Sequence, residues 1–166
     1  MKKISTIKIS IIITVVFILG FNLFAQTRIA VLPFKNLDGK LEYNEWCFNL
    51  QDSLAKSLRS KDINENQYRI VPIDSLELAL AELNLDPDNP QYFTDLWKAI
   101  KKLNVNKVVS GEFNIQGETI IINAKIYDVK LKLPLPNNQA RDIFRKINDA
   151  YSSIDEISEI ILPGIQ

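Results

Sequence analysis

The chain has 166 residues, 20 basic and 20 acidic side chains, no histidine and one cysteine. Without histidine there is no imidazole base, no Ser-His-Asp triad and no histidine metal ligand. One cysteine rules out an intrachain disulfide framework and multi-cysteine zinc sites, and a balanced charge argues against nucleic acid as a partner. With 46% apolar and 24% charged residues the composition is that of a folding globular chain.

Residues 1–25 carry Lys2, Lys3 and Lys8, no acid, and an apolar run from Ile9 to Leu19 that Gly20 and Asn22 interrupt before Leu23-Phe24-Ala25. This is the pattern of a signal peptide cleaved after Ala25. The alternative is a retained anchor, since Ile9–Ala25 lies at the lower limit of the ~17–25 residues that span a bilayer. Without a cysteine beside the cleavage site, a bacterial lipoprotein is not expected. Removing this segment takes away three lysines and no acid, so residues 26–166 form a mildly acidic chain. Such a chain has no electrostatic reason to seek nucleic acid or anionic lipid. Membrane contact is expected only through an uncleaved anchor. The length suits one domain.

Arg28–Phe34 is apolar on both alternating faces, as in a strand covered on two sides, with Pro33 near its end. Lys35–Tyr43 is polar and contains the turn signal Asp38-Gly39. Asn44 is a candidate helix cap, and Trp46, Cys47, Leu50, Leu54 and Leu58 form one helical stripe. Cys47 reads as a small buried hydrophobe. Asp62–Gln67 is a loop and Tyr68–Ile73 a second strand. Asp74 and Glu77 resemble a capping box for a helix carrying Leu76, Ala79, Leu80 and Leu83. The segment Asp86–Pro90 breaks the chain. Asn89 caps a third helix with Pro90 at its first position, and Phe93, Leu96, Trp97, Ile100 and Leu103 make its stripe. Both tryptophans are thus placed on buried stripes.

The period then changes. Lys107–Ile115, the turn Gln116-Gly117 and Glu118–Val129 read as a β-hairpin, with Ile120, Ile122, Ala124 and Ile126 on one face. Pro134 and Pro136 mark a loop or a sheet edge. Ala140–Lys146 fits either a strand or a helix. Ser152–Leu162 carries Ile154, Ile157 and Ile161 at helical spacing, and Pro163-Gly164 is expected to stop it.

No residue pattern supports catalysis. Ser110-Gly111-Glu112 lacks the flanks of a nucleophile elbow, and Asp86, Asp88 and Asn89 fail calcium-loop spacing because Pro90 follows. Glu42, Glu45 and Asp52 near the first helix start read as solvated or capping acids. No cofactor or metal is expected.

Three segments taken in order carry a resemblance. Arg28-Ile-Ala-Val-Leu-Pro-Phe-Lys-Asn-Leu-Asp-Gly39 resembles the opening "AVLPF-x-N" strand and loop of the TolB amino-terminal-like family. Leu103-Asn-Val-Asn-Lys-Val-Val-Ser-Gly-Glu-Phe113 resembles that family's "LGVDYVLSGSV" strand, and Ile121-Ile-Asn-Ala-Lys-Ile-Tyr-Asp-Val129 its return strand. Similar folds occur in the curli secretion protein CsgG, the flagellar protein FlgO and the penicillin-binding-protein activator LpoB. The sequence departs from the family in having Lys130–Pro136 where a small glycine turn is usual, and in showing a single module. The resemblance implies an α/β module that makes protein–protein contacts in the envelope without catalysis.

The expected fold is α/β (α+β), a mixed sheet with helices packed on it in the order β-α-β-α-α-β-β-β-α. The expected function is that of an exported, periplasmic or outer-membrane-associated adaptor with an envelope protein partner; a homo-oligomer is left open. A small-ligand or glycan-binding sensor, with its pocket at the carboxyl ends of the parallel strands, is the alternative. The candidate contact residues are Lys35, Asn36, Leu37, Asp38 and Leu41, because Leu37 and Leu41 belong to no periodic stripe. Leu41 is equally well placed to fold back over the sheet edge.

Overall fold

In a computed structural model of the chain, the described residues are 26–83 and 92–166. The export segment, the break at Asp86–Pro90 and the Asn89 cap lie outside them.

Strands β1 (Thr27–Val31), β2 (Lys35–Asn36), β3 (Tyr68–Ile70), β4 (Lys107–Gln116), β5 (Thr119–Asp128) and β6 (Leu133–Lys146) form one mixed sheet. Helices α1 (Asn44–Lys61), α2 (Ile73–Ala81), α3 (Tyr92–Lys102) and α4 (Ser153–Ile165) pack on it. The strand order is β3-β1-β4-β5-β6, with β2 continuing the line of β1 alongside β4. β1 pairs parallel with β3 and β4, whereas β4-β5 and β5-β6 are antiparallel. The expected α+β order is present, with β2 as an added short strand.

The chain leaves β1 through α1 to reach β3, then returns past β1 through α2 and α3 to reach β4. Right-handed crossovers in opposite directions place their helices on opposite faces. Two separate cores result. Ile29, Val31, Val109, Phe113, Ile120, Ile122, Ala124 and Ile126 face α1 and α4, burying Leu50, Leu54, Leu58, Ile157 and Ile161. Ala30, Leu32 and Val108 face α2 and α3, burying Leu76, Leu80, Leu96 and Ile100. β1 is apolar on both faces because it alone lies wholly between two helical layers.

Several local expectations are corrected. Asn44 does not cap α1: a 3-10 turn over Leu41–Tyr43 leads directly into the helix, and no side chain caps it. Asp74 does not form a capping box, since α2 already begins at Ile73 behind Pro72. Pro163-Gly164 does not stop α4, which runs on to Ile165. A proline near the end forfeits one hydrogen bond, while Gly164 permits the last turn to press on the sheet. A Cβ there would lie 2.8 Å from both Asn138 Cβ and Ile126 Cδ1. Lys107 Nζ donates to the carbonyls of Gly164 (2.6 Å) and Ile165 (3.2 Å), placing a cation at the negative end of α4. Burial holds the Lys107 amine below its ordinary pKa, against the opposing pull of Asp128.

Cys47, Trp46 and Trp97 are partly rather than fully buried. Trp46 stacks on Tyr151 at 5.4 Å between centroids, and Trp97 meets Tyr127 edge-on at 6.1 Å. Both indoles therefore lie at the margins of the cores. Ala140–Lys146 is strand, and so is the stretch holding Pro134 and Pro136. β6 is an edge strand, where prolines break no ladder on the open side.

Candidate partner-binding surface

The loop after β1 is built by an interruption of the sheet. Leu32 N–H still donates to Val109 O (2.9 Å), Pro33 has no N–H, and Phe34 N–H turns to Cys47 O of α1 (3.0 Å). The chain then rejoins β4 as β2, Lys35 opposite Glu112 and Asn36 opposite Phe113. Phe34 is buried, and its ring lies over Gly111, where a Cβ would stand 2.2 Å from Cε1. The "LPF" and "SGE" segments are thus one contact, with glycine supplying the space.

Beyond β2 the polar side chains hold the loop. Asn36 Nδ2 donates to Lys40 O (2.9 Å) and Asn44 Oδ1 (3.0 Å), while its Oδ1 accepts from Asp38 N–H (3.1 Å). Asp38 Oδ2 accepts from Ile115 N–H (2.7 Å), and Leu37 N–H donates to Phe113 O (2.9 Å). Gly39 takes φ +66° with no heavy atom within 4 Å of an added Cβ, so its need for glycine is conformational. Asn36 and Asp38 are loop-forming groups. Leu37 (48% exposed) and Leu41 (83%) stand in solvent with Lys35, and Leu41 does not fold back over the edge.

The register extends this loop into a surface. Leu37 follows Asn36, which pairs with Phe113, and so shares a face with Asn114; Asn114 pairs with Ile121, and Ile121 with Phe144. Phe113, Ile120, Ile122 and Ile143 point into the α1/α4 core, so Leu37, Asn114, Ile121 and Phe144 lie on the opposite face. The core under α2 and α3 includes Val108 of β4 and no later β4 residue. Among the described residues, the face from Ser110 to Asn114 and across to Phe144 therefore carries an apolar row with no helix packed into a core above it. Phe144 is 56% exposed. Beside the row, Lys125 pairs with Glu112 at 3.7 Å, and Lys35 sits opposite the same glutamate.

Ile121 and Phe144 were not among the expected contact residues. Ile121 was legible as the middle of the unbroken Ile120–Ile122 run, which cannot be buried wholly on one face. Phe144 was hidden in a segment whose period fits two structures.

A separate groove of about 400 Å³ lies where β3 ends and α2 begins, lined by Asp52, Arg59, Glu65, Arg69 and Asp74 with Ile70, Pro72 and Ile73. Two of its acids are engaged, Asp52 by Lys56 (2.6 Å) and Glu65 by Arg69 (3.3 Å). Among the described residues no group of three or more acidic or cysteine side chains could hold a metal, and no helix is long and apolar enough to cross a membrane.

No protein-family model matches the sequence, and no curated protein matches it. Solved structures do. Lipoprotein GNA1162 from Neisseria meningitidis is similar with a TM-score of 0.55 at 17% identity, over 84% of this chain and 96% of that one. The PelC dodecamer from Paraburkholderia phytofirmans is similar with a TM-score of 0.50 at 12% identity, over 85% and 90%. The LpoB C-terminal domain from Salmonella enterica is similar with a TM-score of 0.48 at 14% identity, over 78% and 90%. At these identities the likeness is one of fold. The resemblance read from the strand segments is supported at that level.

Proposed function

We propose that the protein is a non-enzymatic adaptor or accessory module of the cell envelope, exported and processed after Ala25, that acts by protein–protein contact. The observation that carries this reading is the apolar row Leu37-Ile121-Phe144 on the sheet face that no described helix covers. A few apolar anchors rimmed by polar groups are what a protein interface needs. The candidate loop contributes Lys35, Leu37 and Leu41 as contact groups, and Asn36 and Asp38 as the frame that presents them. GNA1162, a lipoprotein, and PelC, crystallised as a dodecamer, have similar folds, which supports an envelope setting and self-association.

The test compares Leu37→Asp and Phe144→Asp with the unaltered protein in cross-linking and capture from an envelope extract, with light scattering for self-association. Each variant should keep its circular dichroism spectrum and bind its partner about 1 kcal/mol or more weaker. Unchanged capture and unchanged self-association by both folded variants would remove this face as the interface. Amino-terminal sequencing of the envelope-located protein should begin at Gln26.

The groove at the end of β3 favours a second reading, a small-ligand or glycan sensor, since it lies at a carboxyl end of the parallel strands. That reading requires Arg59→Ala to abolish binding of a charged ligand in a calorimetric screen.

A further inference from the structure

The opposite end of the sheet carries a different kind of surface. Seven residues along β5 from Ile121, roughly 23 Å at ~3.3 Å per residue, the strand ends at Asp128. A tight turn follows. Asp128 O accepts from Lys132 N–H (2.7 Å), and Asp128 Oδ1 accepts from Leu131 N–H (2.8 Å). Lys132 is held at φ +55°, a conformation lysine rarely adopts. The result is a projecting Lys130-Leu131-Lys132-Leu133 tip with Leu131 64% and Leu133 61% exposed. Beside it Trp97, Lys98, Lys101, Val129 and Lys132 line a cavity of about 490 Å³.

Charge and apolar groups alternate here in an unusual way. Lys101, Lys130 and Lys132 form no ion pair among the described residues, while Lys98 is paired with Asp95 (2.6 Å) and Lys102 with Glu82 (2.9 Å). Three cations without a direct ion-pair partner among the described residues thus surround two exposed leucines and an amphipathic indole, with Asp128 at the base of the turn. The near-zero net charge of the whole chain conceals this local excess, because potential near a surface is set by charges within a Debye length.

The geometry points to a membrane-docking patch: the Lys130–Leu133 tip and the Trp97 cavity bind a bilayer surface bearing anionic phospholipid headgroups. Lysines meet the phosphates, while the leucines and the indole enter the interfacial layer. The chain path agrees. Arg28 N–H donates to Asn106 Oδ1 (2.7 Å), and Asn106 O accepts from Val129 N–H (3.0 Å), so β1 starts at the same end of the sheet as this tip. Gln26, where the described residues begin, therefore lies at the end of the sheet that carries the patch. The protein-contact face proposed above lies toward the other end and is independent of this one.

The full chain has two tryptophans, so Trp46→Phe leaves Trp97 as the sole indole reporter. Its emission is followed on adding vesicles of equimolar phosphatidylglycerol and phosphatidylcholine, vesicles of phosphatidylcholine alone, or glycerol 1-phosphate without lipid. Brominated acyl chains serve as the quencher. The patch predicts a blue shift and bromine quenching with the anionic vesicles only. Lys101→Gln and Lys132→Gln should each lower partitioning about fivefold with circular dichroism unchanged, and raised salt should lower it further. Absence of a shift, an equal shift with phosphatidylcholine alone, or the full shift with glycerol 1-phosphate alone would overturn the proposal; the last outcome would make the cavity a site for a free anion. Comparing the lysine variants with the unaltered protein, both carrying the same residues 1–25, separates the patch from any binding by that segment.

Discussion

Replacing Gly111 by alanine tests the contact that ties the loop after β1 to the sheet. Glycine within a strand is ordinarily less stable than alanine by about 0.5–1 kcal/mol, because the unfolded chain loses more freedom. On that ground alone Gly111→Ala should stabilise the protein. The packing predicts the opposite sign. An added Cβ would stand 2.2, 2.3 and 2.5 Å from Cε1, Cδ1 and Cζ of Phe34. The ring is only 2% exposed, and its backbone is pinned by the bond from Phe34 N–H to Cys47 O. It cannot withdraw without displacing α1 or β2. Overpacking of this kind costs typically ~1–3 kcal/mol, enough to outweigh the entropic gain. Urea denaturation followed by far-ultraviolet circular dichroism should therefore show a lower midpoint at unchanged slope. Phe34→Ala should cost ~3–5 kcal/mol alone. The double variant should be more stable than the sum of the two losses predicts, since the truncated side chain vacates the space the new methyl needs. A neutral or stabilising Gly111→Ala, or strict additivity, would refute the argument that Gly111 exists to admit the Phe34 ring.

Lys107→Met keeps the stem and removes the ammonium, leaving the Gly164 and Ile165 carbonyls without their donor; a loss of about 1–3 kcal/mol in urea melts is expected. Trp97→Ala should cost about 1.5–3 kcal/mol in thermal melts, less than a fully buried indole, because the ring is partly exposed where it packs on the second core and meets Tyr127 edge-on. Asp62 accepts hydrogen bonds from the backbone N–H groups of Tyr68, Gln67 and Asn66, and these hold its carboxyl below the ordinary aspartate pKa. A carboxyl lowered on folding contributes stability above its unfolded pKa of ~3.9 that is lost as pH falls through the folded value. Urea midpoints should therefore fall on the acid side of about pH 4 less steeply for Asp62→Ala than for the unaltered protein.

Much of the fold was legible because the signals are local. The two-sided apolar run Arg28–Phe34 meant a strand between two helical layers, and β1 is one. The turn at Gly117 and the alternation of Ile120, Ile122, Ala124 and Ile126 meant a hairpin with one buried face, and their register bears it out. Helical stripes identified α1 through α4 for the same reason: burial follows the period of the backbone. Residues 140–146 were not legible, since a short apolar segment fits both periods. Pairing of Ala140 with Ala124 and of Ile143 with Ile122 decides for strand.

What tertiary structure alone decided is which groups stay outside. Asn36, Asp38 and Asn44 look alike in the sequence as polar residues near a turn, yet the first two frame the loop, and Asn44 receives a bond from Asn36 instead of capping α1. Leu37, Ile121 and Phe144 lie more than a hundred residues apart in the chain from first to last and form one row only because β2, β4, β5 and β6 adopt a particular register. The same holds for charge. Lys101 and Lys132 are remote in sequence and meet at one cavity, so a chain with no net charge still has a basic end. Composition sums over all residues, whereas packing and electrostatic contact act over a few ångströms, and the sheet determines which residues come within that range.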